Sequence, residues 1–263
     1  DPVEIINPLG KEFSNMRQSL IYNSIEVITY NLNRQNNSLK LFELGNIYGK
    51  HNNNYVEERR LCVSIVGEVF QSNWNSQQSP DTFFYGKGLI IDVFETFGYN
   101  DVKFSNVHHP NFDLACEISS QNVILGYYGL ISMKKREKYN IEKEIYLADI
   151  NWSRFIENCF TKPTYFKDLP RFPSIKRDFA LLLNKEITFA EIEEISLKTE
   201  RKILKSVELF DVYEGENLPA GKKSYGVSFN FQDKNRTLTD KQVDKIMNKL
   251  EKNFVENFNA ELR

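Results

Sequence analysis

Two adjacent histidines, three cysteines and two short lysine-bearing stretches are the first places to look for chemistry in this sequence. Neighbouring residues point to different sides, so the pair in His108-His109-Pro110 is poorly placed to chelate one metal. No cysteine or spaced carboxylate stands near it, and it reads as loop or surface histidine. Cys62, Cys116 and Cys159 are far apart, without disulfide or metal-ligand spacing. They read as reduced, partly buried thiols. Gly86-Lys87-Gly88 before a helical pattern could hold an anion, but a lone GKG is weak and a plain loop-to-helix junction explains it better. Ser132-Met133-Lys134-Lys135 reads as a basic surface turn. Phosphate-loop and dinucleotide fingerprints are absent, and no Ser/His/Asp or Cys/His arrangement stands out. No metal site and no self-contained active site are expected.

The elements that would carry a binding surface are clearer. In the last hundred or so residues, Phe179–Leu183 reads as a strand. Thr188 stands three before Glu191, which is capping-box spacing, and opens a helix with Phe189, Ile192 and Ile195 on one side. Leu204–Tyr213 follows as a strand, and Ser224–Gln232 alternates most cleanly. Tyr225, Val227, Phe229 and Phe231 point one way, while Ser224, Gly226, Ser228, Asn230 and Gln232 point the other. Thr239, with Gln242 three on, caps a helix lined by Val243, Met247, Leu250 and Phe254, and Ala260–Arg263 supplies a last short strand. The order β-α-β-β-α-β is the ferredoxin-like split unit. Its helices should cover the apolar sheet face and leave the polar one open, either as a binding platform or as a solvated face.

Residues 1–158 read as mixed α and β: a short strand at Val3–Asn7, helices at Leu20–Asn33 and Phe84–Phe97, and strands at Leu39–Tyr48, Leu61–Val66, Leu114–Ile118, Val123–Ser132 and Ile145–Ile150. Strands that do not alternate regularly with helices favour an α+β domain on a largely antiparallel sheet. Gln71 to Asp81 reads as a polar surface loop.

The chain has 263 residues, and at about 150 per domain that predicts two domains. Hydrophobic residues make up 41%, enough for real cores and against general disorder. No apolar run approaches the ~20 residues that span a bilayer. Net charge is −2, so the whole chain is no generic polyanion binder. The opening Asp1-Pro2-Val3, without Met or a signal pattern, is expected of a piece of something longer. Prolines 163, 170 and 173 put the boundary between Cys159 and Pro170.

Five signatures, in order, resemble the C-terminal part of the bacterial phenylalanyl-tRNA synthetase β subunit. They are Asn7-Pro8-Leu9 with Ser14-Asn15-Met16-Arg17-Gln18-Ser19-Leu20; Leu41-Phe42-Glu43-Leu44-Gly45-Asn46-Ile47-Tyr48; Phe172-Pro173-Ser174-Ile175-Lys176-Arg177-Asp178-Phe179-Ala180; Leu209-Phe210-Asp211-Val212-Tyr213-Glu214-Gly215 on to Gly221-Lys222-Lys223-Ser224; and Arg236-Thr237-Leu238-Thr239-Asp240, with Leu262-Arg263 closing the chain. The resemblance implies a class II synthetase-like antiparallel sheet domain over residues 1–160, incomplete at its start, a linker at 161–168, and a ferredoxin-fold anticodon-binding domain at 169–263. In an active class II core the strand resembling Gly45–Tyr48 would end in an arginine that grips ATP phosphate. Here Gly49 and Lys50 follow, and the glycine-rich strand expected late in such a core has no counterpart in 144–154. The first domain is therefore expected to be non-catalytic.

By the same resemblance, Asp211, Tyr213 and Ser224 match positions that recognise the first anticodon base, a guanine. Strict alternation would also put Val207 and Leu209 on the face of Asp211, so either a bulge intervenes or that face is partly apolar. Arg177, Lys222, Lys223, Lys234, Arg236 and Arg263 are candidates for tRNA phosphate contacts. The partners implied are the catalytic α subunit, in an α2β2 assembly, and the phenylalanine tRNA, in the cytoplasm and away from membranes. α would cover apolar surface around Leu20–Asn33. ATP and Mg²⁺ belong to the whole enzyme, with no cofactor held by this chain. The alternative reading is a regulatory protein whose ferredoxin-like module senses an amino acid.

Overall fold

The computed structural model describes residues 1–10, 14–52, 54–70, 82–99, 101–159, 166, 169–215 and 217–262. The polar loop at 71–81, most of the 161–168 connection and Arg263 lie outside these residues. The chain divides into two compact units, Asp1–Tyr165 and Phe166–Arg263.

The first unit contains α1 (Ile21–Leu32), β1 (Leu39–His51), β2 (Asn54–Val66), α2 (Thr82–Thr96), β3 (Lys103–Asn106), β4 (Phe112–Ser120), β5 (Val123–Ile131), α3 (Met133–Lys138), β6 (Ile145–Asn151) and α4 (Trp152–Cys159). Its six strands form one antiparallel sheet in the order β1-β2-β6-β5-β4-β3. Ile21, Ile25 and Ile28 of α1 pack with Cys62, Val66, Ile145 and Leu147. Ile90 and Phe94 of α2 and Phe155 of α4 pack with Leu61, Tyr128, Ala148 and Ile150. In the register Cys62 opposes Asp149 while Leu61 opposes Ile150, so these two sets lie on opposite faces and the sheet is covered from both sides.

Several elements differ from the sequence expectation. Val3–Asn7 makes one isolated bridge, Glu4 to Asn15, rather than a strand, because Pro8 ends the run and its partner is the nearby 14–16 segment. β1 and β2 extend well beyond their apolar cores as a long hairpin whose outer half is half-buried along β1 and mostly exposed along β2. Gly86-Lys87-Gly88 lies inside α2 rather than ahead of it, so it offers no free helix N-terminus; Gly86 faces the Tyr128 hydroxyl. Ser132–Lys135 opens α3, whose Met133 N–H donates to Asp113 at 2.7 Å.

The second unit contains β7 (Ile175–Asn184), α5 (Phe189–Thr199), β8 (Leu204–Tyr213), β9 (Lys222–Phe231), α6 (Asp240–Phe258) and β10 (Glu261–Leu262). The antiparallel sheet runs β10-β7-β9-β8, the ferredoxin-like arrangement. Glu191 accepts from the Thr188 backbone N–H and hydroxyl, both at 2.7 Å, and fixes the start of α5. Tyr225, Val227, Phe229 and Phe231 of β9 join Val243, Met247, Leu250 and Phe254 of α6 in one buried core. Burying each such side chain is worth about 1.5–3 kcal/mol, so the alternating strand and the 3.6-period helix fix each other's inward faces.

Two expectations follow. The Arg60 guanidinium grips Asp149 through two bonds, 3.0 and 2.8 Å, with both side chains 15% exposed. Asp149→Ala strands that charge and should lower the urea-unfolding free energy by roughly 3 kcal/mol; an unchanged midpoint and slope would contradict the pair's structural role. Hydrogen bonds from Thr188 hold the Glu191 carboxyl below its ordinary value of 4.5. Its contribution is complete above that ordinary value and is lost as pH falls through the lower folded one. Glu191→Gln should flatten this part of the acid-unfolding profile while leaving the neutral-pH profile parallel to that of the parent.

Candidate nucleic-acid interface

The register of β8 determines which side chains share a face. Val207 pairs with Phe229 and Leu209 with Val227, placing both on the helix-covered side. The register then shifts: Asp211 pairs with Gly226, Val212 with Tyr225 and Tyr213 with Ser224. Phe210 is the extra residue of a β-bulge, and the parity of the strand inverts across it. Asp211, Tyr213 and Ser224 thus stand together on the face without helices. Asp211 is exposed, Tyr213 is 40% exposed and Ser224 half-buried. The aromatic ring of Tyr213 bends back over Gly215, its hydroxyl 2.1 Å from where a β-carbon would sit, so that residue must be glycine for the ring to rest there.

The rest of this face is less open than the alternation of β9 predicts. Ser228 is 1% exposed and donates to Asp178 at 2.6 Å. Lys176 of β7 and Glu208 of β8 reach towards each other across β9, 3.9 Å apart. Lys176 and Glu208 stay 59% exposed, so that part of the face is charged, and Asp211, Tyr213 and Ser224 form its other accessible end. An acid, an aromatic ring and a hydroxyl side by side can accept N–H bonds, stack a base, and donate or accept once more.

The basic candidates scatter. Arg177 pairs across from Phe229 on the helix side and bonds Asp240 of α6 at 2.5 Å. Lys223 is 7% exposed, its ammonium 4.5 Å from the Tyr225 ring. We leave both out of the interface. Lys222 shares the face of Ser224 and bonds Glu261 at 2.5 Å. Lys234 and Arg236 follow β9 in an exposed turn, where Arg236 meets Asp233 at 3.3 Å.

Among its described residues the first unit provides no comparable cradle for a triphosphate. Gly49 lies on the sheet face of Glu43 and Arg60, while Lys50 points to the other, its ammonium 5.9 Å from the Tyr55 ring. On the Gly49 face Arg60 is committed to Asp149, and Arg17 bonds Glu43 at 2.5 Å. Burial alone would lower the Arg60 pKa, but the bonds and charge of Asp149 raise it above its ordinary value. These residues do not fit ATP phosphate, since each guanidinium already carries its counter-charge. His109, the histidine considered above, packs against Phe112 and Tyr127 with ring centroids at 5.0 and 4.7 Å. Cys62, Cys116 and Cys159 are buried and free, and burial, with the charge of Asp149, pushes the Cys62 thiol up to about 12.

Comparison with known proteins gives the family. The profile of the phenylalanyl tRNA synthetase beta chain CLM domain matches residues 1–152, and that of the ferredoxin-fold anticodon binding domain matches residues 170–263. Together they mark a tRNA synthetase subunit. The chain belongs to the phenylalanyl-tRNA synthetase β-chain family. It is 37% identical over 273 residues to the phenylalanine–tRNA ligase beta subunit of Bacteroides fragilis, covering 99% of this chain and 33% of that protein. To the same subunit of Lactococcus lactis it is 33% identical over 266 residues, covering 98% and 33%. The chain thus spans about one third of the length of these relatives. Pyrrolysyl-tRNA synthetase from Desulfitobacterium hafniense aligns with 54% of this chain and 49% of its own, at 14% identity and a TM-score of 0.43.

Because Asp211 stands exposed, Asp211→Asn should change unfolding free energy by no more than about 0.5 kcal/mol. A circular dichroism melt checks this; a large loss of stability would assign the residue to folding instead.

Proposed function

We propose that this chain is the part of a phenylalanine–tRNA ligase β subunit that reads the anticodon of the phenylalanine tRNA and scaffolds the catalytic α subunit. The observation that carries the reading is the convergence of Asp211, Tyr213 and Ser224 on an accessible end of the uncovered sheet face. Guanine presents two N–H donors on its Watson–Crick edge, and one carboxylate accepts both. Adenine presents a ring-nitrogen acceptor there, which the Asp211 carboxylate repels. Tyr213 supplies a face for stacking, and Ser224 a further donor or acceptor. The base must leave its own stack first, as bases in single-stranded loops readily do.

The first unit serves as the scaffold. Its paired arginines favour a structural role over phosphate binding. The outer side of α1 carries exposed Tyr22, Val27 and Tyr30, apolar surface that an α subunit would cover in an α2β2 assembly. ATP and Mg²⁺ would then serve the α subunit, with adenylation and transfer taking place there. The cytoplasm is the matching compartment, consistent with free buried thiols; among the described residues no helix is long and apolar enough to cross a membrane. The relatives, named as ligase subunits, lend no support to the amino-acid-sensing alternative.

The test is binding of the intact ligase to phenylalanine tRNAs that differ at the first anticodon position. Guanine should bind at least about tenfold tighter than adenine, the worth of one hydrogen bond to a charged group. Asp211→Asn should remove most of that preference. Equal affinity for all four bases in the parent enzyme refutes the reading.

A further inference from the structure

The bulge does more than invert β8. Phe210 and Asp211 together oppose the single residue Gly226. The Phe210 ring atoms Cε2 and Cζ lie 2.7 and 2.8 Å from where a β-carbon on Gly226 would be, and the Asp211 β-carbon lies 3.0 Å from the same point. That β-carbon would project from the face of Ser224 and Ser228, the side without helices. The ring has therefore left the core and rests on the accessible face, 60% exposed. Tyr213 repeats the arrangement over Gly215. Two aromatic residues, each with its ring where a glycine makes room, stand on either side of Asp211 along β8.

Single exposed apolar residues are common on protein surfaces. This one is different in having its own seat. Any residue other than glycine at 226 would place an atom too close to the ring, so the sheet surface leaves room for the aromatic close to its backbone with more than half of its area towards solvent. The chemical partner for such a surface, next to a ring already assigned to a base, is another base. Stacking accepts any base because every base has a π-face.

Accepting the anticodon reading above, we propose that Phe210 is a second stacking platform, and that the interface holds two adjacent unstacked nucleotides of single-stranded RNA. One stacks on Tyr213 and is identified by Asp211. Its neighbour stacks on Phe210 without being identified. Phe210 thereby sets affinity and Asp211 sets base choice.

The experiment uses the whole chain and hairpin RNAs carrying the phenylalanine anticodon loop, with guanine or adenine at the first anticodon position. A second pair of hairpins carries 2-aminopurine beside that position, whose fluorescence falls on stacking. Phe210→Leu should weaken both hairpins at least about fivefold, the low end of one stacking contact. The guanine-to-adenine ratio should stay as in the parent, and part of the 2-aminopurine quenching on binding should be lost. Phe210→Tyr should restore both. Parental affinity and quenching in Phe210→Leu overturn the platform, as does a loss confined to the guanine hairpin. A parent chain that binds both hairpins equally refutes the assignment of Asp211 while leaving the Phe210 comparison valid. A parent chain that binds neither refutes both.

Discussion

One extra residue in β8 determines what the second unit can present to a partner. Up to Leu209, the strand must turn Val207 and Leu209 towards α5 and α6, because the core consists of those contacts. Without interruption, Asp211 and Tyr213 would follow them inward, and a carboxylate would enter an apolar layer at a cost of several kcal/mol or more. The bulge at Phe210 resolves this by inverting the strand's parity in one step. The apolar half of β8 thus belongs to the fold, and its polar end belongs to the surface. Both requirements are met by one insertion, and the glycine opposite it, Gly226, leaves space for the displaced ring.

The two candidate surfaces differ in how their charge is committed. In the first, the arginines on the α1-covered face are closed off by carboxylates: Arg60 by Asp149, Arg17 by Glu43. Such pairs hold strands in register but have no charge to spare for a phosphate. In the second, Asp211 stands exposed on its face beside a hydroxyl and two rings. An uncommitted acid at the surface costs little and remains available to donors from outside. On the proposed function, the neutralised sheet would support and the exposed acid would recognise.

Much of this was legible in the residues. Alternation in 224–232 assigned the inward aromatics, and the spacings of Thr188 with Glu191 and Thr239 with Gln242 located both helix starts. Parity counting along 204–213 exposed a conflict at Asp211, and a bulge was one of two ways to resolve it. Alternation alone could not show that Phe210 is the inserted residue, because an apolar residue in an apolar strand carries no mark of facing outward. A signal was present in Gly226, the one glycine in an otherwise well-filled β strand, which often marks a bulge or a close approach. Short elements such as β3 and α3 escaped detection because they bury no side chain of their own and are held by their neighbours. The destinations of Arg177 and Lys223 were hidden too, since a basic residue's partner is set by tertiary packing rather than by its place in the sequence.

The central claim is that RNA meets the end of the uncovered sheet face. Amide chemical shifts of the chain, followed as the phenylalanine anticodon hairpin is added, test it most directly. The account predicts that the largest shifts fall on 210–215 and 224–226, with the outer surfaces of α5 and α6 silent. Shifts concentrated on the exposed lysines of α6, with those two strand segments unchanged, would contradict it.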